Sequence, residues 1–389
     1  METFSYRSLI TLTMYLSATG GGLGLLLLLG RFLLPLFRGS SVQTLQTNSG
    51  MQVDLPASDS SGPRWLQRGS WVLLLMMTVS LLVNSLAMGA RYVEVQHWPA
   101  QTMYEVIPLG VASGFFAGIL LYFVLGLGQI QGIARAFTEV FMTLKLIAYA
   151  AIFLYVLNLD PTGRPLPPAL QSYWFPVHIT AYMIGYFTMF IGTLAVWLLF
   201  CFRFWRGLLQ RGDYPVPTKE LLAIFGFSLI TVPFGQYGWL MGPGVLALTG
   251  VLAGLSLMLP NKLSWFDGWE TGADTFTWKI FLVGFPFLTA GLIMGALWAQ
   301  EAWAIYWGWD SKEVSALISW VFYAVYLHLR YVAGWKGRKG MWILLVGGFS
   351  VYITFQLFGY LPASQSSLHR YTDMENVPTE GLMGAGPGG

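Results

Sequence analysis

FTWKIFLVGFPFLTAGLIMGALWAQEAWAIYWGWDSKE, residues 276–313, joins an apolar run to a crowd of indole rings, and its reading fixes how the rest of the chain is read. The part from 276 to 297 contains a single charged side chain, Lys279. About 20 such residues suffice for a helix to cross the hydrocarbon core of a bilayer. Trp298, Trp303, Trp307 and Trp309 then follow within a dozen residues, with Tyr306 among them, and Asp310, Lys312 and Glu313 close the run. So much flat aromatic surface beside a charged end requires something for the rings to face.

Composition extends the first half of that reading to the whole chain. Hydrophobic residues make up 55% of the sequence and charged residues only 10%, against about a quarter charged in a soluble domain. A chain this apolar has its natural solvent in the bilayer. The formal charge of +3 is small, and the basic residues sit in short loops rather than in a stripe, which gives no footing for nucleic acid. Cys201 is the only cysteine, which excludes an internal disulfide, a CxxC redox pair and a thiolate metal cage; it reads as a buried bystander at the end of a span.

Further runs of spanning length stand at 8–34, 70–89, 107–127, 139–157 and 175–200, with two inside 221–259, and again at 314–332 and 341–360. The first lacks the short core and small-residue cleavage site of a signal peptide and is kept as a true span. With the N-terminus outside, Lys and Arg divide about three to one in favour of the inner loops, as the positive-inside rule requires. Lys145, inside the fourth span, is expected to snorkel to the inner face. The expectation is an all-α, polytopic membrane bundle of about 10 transmembrane helices with both termini outside. Its parts are two spans with an inner loop (1–90), spans carrying the outer loops of His97 and His178 (91–200), an inner loop plus a transmembrane hairpin (201–275), the tryptophan-rich module (276–369) and an outer tail expected to be disordered (370–389). The segment 39–68, rich in Ser, Gly and Gln, is expected to be a mobile inner connector. The 221–259 hairpin has a re-entrant pair as its competing reading.

Topology sorts the four histidines. His97, His178 and His369 fall on the outer side with the tryptophans, whereas His328 lies within a span, nearer the inner face. Imidazole is a good ligand for iron, and haem iron takes axial ligands on its two faces. Trp303, Trp307 and Trp309 can bury a flat porphyrin, and Lys312 or Arg370 can meet a propionate. These residue types also have a plainer explanation, because Trp and Tyr gather at membrane interfaces through their amphipathic rings and a histidine at a helix end is commonly a hydrogen-bonded surface residue. Residue types alone therefore leave a polytopic membrane protein, with haem binding open. His328 is a functional candidate because polar groups at membrane depth usually face an interior or a cavity.

The ordered motifs narrow this. Residues 298–313 resemble the tryptophan-rich WWD signature of haem-handling proteins. The preceding GALWA, the following YLHLR, the LHRY of the tail, and upstream HWPAQTMYE and QSYWFPVH together resemble the CcsA (ResC) family, a component of the two-component cytochrome c synthase of plastids, cyanobacteria and many other bacteria. The resemblance runs from about Arg91 onward; the first two spans match in layout only. It implies a plasma-membrane or thylakoid location with the WWD site facing the periplasm or lumen. It also implies a CcsB (ResB)-like membrane partner, haem b as substrate and apocytochrome c as acceptor. By position, His178 and His369 correspond to the outer axial ligands of the iron, Trp298, Trp303, Trp307 and Trp309 to the haem platform, and His328 to the intramembrane histidine that helps haem on its way in. The family pattern W-G-x-Y-W-x-W-D-P-K-E is broken here by Ala304 for glycine and Ser311 for proline, and Ser315 stands in place of a later tryptophan. The 221–259 hairpin is additional to the family's usual eight or so spans.

The activity implied is a holocytochrome c synthase of the haem lyase type, in which two thiols of an apocytochrome CxxCH segment add across the haem vinyl groups. Trp303, Trp307, Trp309 and Asp310 would act by positioning, with Asp310 as a capping or shelf-orienting group, since Asp310-Ser311 begins the next helix and either residue can cap it. The alternatives are a haem carrier that delivers without attaching, and a structural subunit with interfacial tryptophans.

Overall fold

The computed structural model describes residues 5–37, 42–46, 52–56, 68–129, 133–209, 243–244, 246–247, 249–251 and 264–354. Six helices among them are long and apolar enough to cross a membrane: Tyr6–Gly30, Gly69–Val95, Met103–Val124, Thr138–Val156, Trp174–Leu209 and Gly272–Trp303. They coincide with six of the expected spans, and the protein is a helical membrane protein. Two further helices stand where 314–332 and 341–360 were expected. The expected 221–259 hairpin falls almost wholly outside the described residues, as do His369, Arg370 and the tail. The chain divides into two compact units, Met1–Leu166 and Pro167–Gly389.

The first unit contains α1 (Tyr6–Phe37), β1 (Val42–Gln46), β2 (Gln52–Pro56), α2 (Gly69–Val95), α3 (Met103–Val124) and α4 (Ile133–Val156). The all-α expectation holds for the helical body and gains one element. Within the segment expected to be a mobile connector, β1 and β2 pair antiparallel, Val42 opposite Pro56 and Gln46 opposite Gln52. Helices are the form such apolar runs must take, because every backbone donor and acceptor has to be satisfied within the segment. α1 packs on α2 and α4, and α2 packs on α3.

On α2 the buried positions are Ser70, Leu73, Met77, Ser80, Asn84, Ala87 and Arg91, a face repeating every three or four residues. Arg91 closes the end of the bundle at which α1 begins. Its Nε donates to Glu105 at 3.0 Å and its Nη1 to Glu94 at 3.3 Å. The guanidinium lies 5.5 and 5.4 Å from the ring centres of Tyr6 and Tyr104. Glu105 also accepts from the backbone N–H groups of Gln101 and Thr102, which fixes the start of α3.

Lys145 does not snorkel. Its ammonium donates to the Gly114 carbonyl on α3, with the rings of Phe141 and Tyr149 at 5.9 and 5.5 Å. Gly118 makes room for it, since a Cβ there would meet the amine. A glycine notch on the neighbouring helix offers a carbonyl within a side-chain length, and that contact replaces the climb toward a membrane surface.

The second unit contains α5 (Trp174–Leu209), α6 (Ser264–Trp303), α7 (Ser311–Tyr331) and α8 (Arg338–Tyr352). α5 and α6 run against each other along most of their length, and glycine allows it. A Cβ on Gly185 would come within 2.9 Å of the Leu288 backbone nitrogen, and one on Gly291 within 2.8 Å of the Tyr182 ring. Small residues let membrane helices approach closely where hydrophobicity alone supplies no drive. The turn from α7 to α8 is held by Asp274 of α6. Asp274 accepts from Arg330 through both oxygens, at 2.8 and 2.9 Å, and from the Gly337 N–H at 2.9 Å. Phe281, Leu288, Tyr323 and Tyr326 fill the core between α6 and α7.

Candidate functional site at the junction of α5, α6 and α7

The site is assembled from three helix ends. The segment before α5 is pinned to the end of α6: Ser172 Oγ donates to Glu301 and accepts from the Trp174 N–H. The Trp298 indole donates to the Ala169 carbonyl at 2.8 Å. These ties set the first turn of α5, and therefore His178, against α6.

His178 lies in a mould made by that helix. Its Nδ1 is 2.8 Å from the Gly291 carbonyl. A carbonyl only accepts, so Nδ1 carries the proton and the lone pair of the neutral ring falls on Nε2. The ring stacks on Trp298 with centres 5.5 Å apart and meets Tyr182 edge-on at 4.9 Å. Below it is Gly295, where a Cβ would lie 2.6 Å from Cε1. An imidazole with a fixed tautomer and fixed plane is what a metal-ligating histidine needs. Gly291 and Gly295 were missed by sequence reasoning, although the glycine pair in GLIMG at small-xxx-small spacing was a usable signal.

The tryptophans divide by environment. Trp298 is buried and supports His178. It also packs on Trp303 at 5.0 Å and on Phe175 at 5.3 Å. Beyond Trp303 the chain leaves α6 through Ala304, whose φ is +59°. Trp307 and Trp309 meet edge to face at 6.2 Å. Trp309 has a φ of +57° and the residue is 73% exposed, with Tyr306 and Ile305 also exposed. A bulky residue in the left-handed region is uncommon and costs roughly 1–3 kcal/mol. The loop thus holds a large aromatic surface outward from a constrained backbone.

The acidic residues that close the motif shape this loop. Asp310 is the N-cap of α7 and accepts from the Lys312 N–H at 2.7 Å; of the two candidate caps, Asp310 and Ser311, the structure uses the first. Glu313 accepts from the Gly308 and Asp310 N–H groups at 2.8 and 3.2 Å, which completes a capping box. The Lys312 side chain is exposed. Ser315 is buried: its hydroxyl donates to the Lys312 carbonyl, and its own carbonyl accepts from Ser319 and Thr354.

Two further histidines lie on other elements. His328 is exposed on α7, 17 residues beyond Ser311 and so about 26 Å along the helix, and it does not join His178. His97 belongs to the first unit, where its Nδ1 lies 3.0 Å from the Trp98 carbonyl and its Nε2 2.9 Å from the Arg164 carbonyl. It ties the 91–105 segment to the proline-rich loop after α4.

The model of the cytochrome C assembly protein family matches residues 110–363. The chain is 33% identical over 310 residues to the cytochrome c biogenesis protein CcsA of Crocosphaera subtropica, covering 76% of this chain and 86% of that one. It is 30% identical over 306 residues to CcsA of Gloeobacter violaceus, covering 75% and 84%. With CcsA of Synechocystis sp. it shares 33% identity over 316 residues, covering 76% and 86%. A chain with this family match, these relatives and apolar helices ending in a WWD loop belongs to the CcsA family of cytochrome c biogenesis proteins.

Proposed function

We propose that the chain is the haem-presenting membrane subunit of a cytochrome c synthase. It binds haem b as substrate on the outer face and holds it for thioether attachment to the CxxCH segment of apocytochrome c, together with a CcsB-like partner. The observation that carries this reading is His178: the Gly291 carbonyl holds its proton on Nδ1, and its ring stacks on Trp298, which packs on Trp303 at the start of the exposed aromatic loop. In this reading the chain crosses the membrane about ten times with both termini outside. His178 and His369 are the axial ligands. Trp303, Trp307 and Trp309 cover the porphyrin, and Trp298 acts through His178. Lys312 or Arg370 meets a propionate, and His328 assists haem from the inner side.

The chain's own work in the reaction is positioning. His178, wedged on Gly295, sets the iron axis. Asp310 and Glu313 hold the loop that sets the plane of the aromatic shelf, so the vinyl edge faces the incoming peptide. Each cysteine S–H adds across one vinyl group, sulfur to one carbon and hydrogen to the other, and two held reactants gain effective concentration. Neutral imidazole is required for ligation, so binding weakens in acid as the ligands protonate.

The test is co-expression with a CcsB-like partner and an apocytochrome, followed by staining for covalently bound haem. Covalent product that depends on this chain is expected. Haem bound by the complex without any covalent product would identify a carrier instead, and absence of haem on purification would leave only a structural subunit. His328→Ala is expected to lower haem loading with His178 and His369 intact; wild-type loading would remove His328 from the haem route.

A further inference from the structure

The turn that joins α7 to α8, residues 332–337, presents a surface that haem presentation does not use. Asp274, which holds this turn through Arg330 and the Gly337 N–H, is the third residue of the membrane-crossing helix Gly272–Trp303. The turn therefore lies at the level where that helix meets the membrane boundary. The aromatic loop follows Trp303 at the other end of the same helix, about 45 Å away. The turn is also firmly shaped. The Trp335 N–H donates to the Leu329 carbonyl at 3.0 Å, and Gly334 and Gly337 reverse the chain with φ of +64° and +62°, where a side chain would be strained.

What this fixed turn holds outward is aromatic and cationic together. Tyr331 and Val332 are 72% and 71% exposed, and Trp335 is exposed beside them, as are Lys336 and Lys339. The Lys339 ammonium lies 5.8 Å from the Trp335 ring centre, so ring and cation form one surface. Charge along the stretch has one sign: Arg330, Lys336, Arg338 and Lys339 fall within ten residues, and residues 314–372 contain neither Asp nor Glu. These cations do not serve the helix, because Arg338 and Lys339 stand in the first turn of α8, where the dipole disfavours positive charge. A topology signal requires the positive charge alone. It does not require rings held out beside the lysines. Amphipathic rings at headgroup level next to exposed ammonium groups match an anionic lipid, whose phosphate meets the cations while its interfacial region meets the rings.

We propose that the α7–α8 turn is a binding surface for anionic lipid headgroups, in which Lys336 and Lys339 meet the phosphate and Tyr331 and Trp335 pack on the glycerol and upper acyl region. Lipid bound there braces the end of α7. The charge of the surrounding leaflet thereby acts on the helix whose other end carries the Asp310 cap and the aromatic loop.

The test uses the full-length chain in a nonionic detergent with equal amounts of phosphatidylglycerol and phosphatidylcholine, and native mass spectrometry counts the lipids that stay bound. Each cation near an anionic surface is worth roughly fivefold in binding, so the unmodified chain should retain phosphatidylglycerol over phosphatidylcholine by about tenfold. Lys336→Gln with Lys339→Gln should reduce that preference to about twofold. The control pair, Arg7→Gln with Arg164→Gln, removes the same charge from exposed positions of the first unit and should leave the preference unchanged. An equal fall in both double variants, or no fall in the first, overturns the site. Excess inorganic phosphate should leave the bound lipid in place; its displacement would identify a free-phosphate site and overturn the lipid reading. A second measurement needs no variant. Amide hydrogen exchange across residues 331–339, with the chain in phosphatidylcholine vesicles, is expected to slow several-fold when half of the lipid is phosphatidylglycerol, with residues 91–105 unchanged. Exchange at 331–339 that ignores the lipid would leave the turn to an acidic protein partner and overturn the inference.

Discussion

His97 and His178 are the same residue type, each next to an aromatic segment, and their surroundings set them different tasks. Both nitrogens of His97 lie within 3.0 Å of backbone carbonyls, from Trp98 and Arg164. A ring whose two nitrogens both face carbonyls is placed as a tie between two backbone segments. His178 gives one nitrogen to a carbonyl and thereby assigns the lone pair to the other. The backbone and rings set around the two imidazoles therefore differ where residue type and topology do not.

The strongest way to break that comparison is to remove each ring. His178→Ala is expected to reduce the bis-imidazole haem absorbance of the purified complex by at least tenfold, with recovery on adding free imidazole. His97→Ala should keep the spectrum and lose thermal stability. Loss in both, rescued by imidazole in both, would erase the distinction. The mould can be tested separately from the ligand. Gly295→Ala drives a Cβ into His178 and should cost about 1–3 kcal/mol by overpacking, with a shifted axial-ligand spectrum. Gly89→Ala, where no atom lies within 4 Å of the added carbon, should leave the spectrum unchanged.

Two substitutions toward the family pattern are expected to stabilise the WWD loop by smaller amounts. Ala304 sits at a positive φ of 59°, which glycine adopts without strain, so Ala304→Gly should raise stability by about 1 kcal/mol. Ser311 is the first residue of α7, and Asp310 before it has φ −61° and ψ 151°, the conformation a proline imposes on its predecessor. Ser311→Pro should add about 0.5–1 kcal/mol, seen as a higher Tm in detergent. The smallest effect is expected near the Arg164 partner of His97. The Thr162 hydroxyl and N–H hold the Asp160 carboxyl below the usual carboxylate range. Its folded pKa is depressed, so its contribution is present above the unfolded value of about 3.9 and fades as pH falls through the lower folded value. Asp160→Asn should flatten that part of an acid stability profile.

Six spans were legible because a bilayer-crossing helix needs an apolar run that few other structures require, and a cap at Asp310 or Ser311 was legible because both residue types favour that position before such a run. The seat of His178 was not, since its decisive partner is the Gly291 carbonyl and a backbone atom has no letter. Lys145 was misread for a related reason. Its position along α4 indicates the nearer membrane surface, whereas a carbonyl on α3, exposed by glycine, was nearer still. His369 and Arg370 remain expectations from motif position.

The glycine face of α6 has a consequence for inheritance. A lineage can vary the exposed flank of that helix freely, because lipid accepts most apolar side chains. At Gly291 and Gly295 the smallest possible change, a single methyl group, acts on a ring that lies more than a hundred residues away in sequence. Genetic screens for lost cytochrome c maturation should therefore recover lesions in an apparently featureless apolar helix.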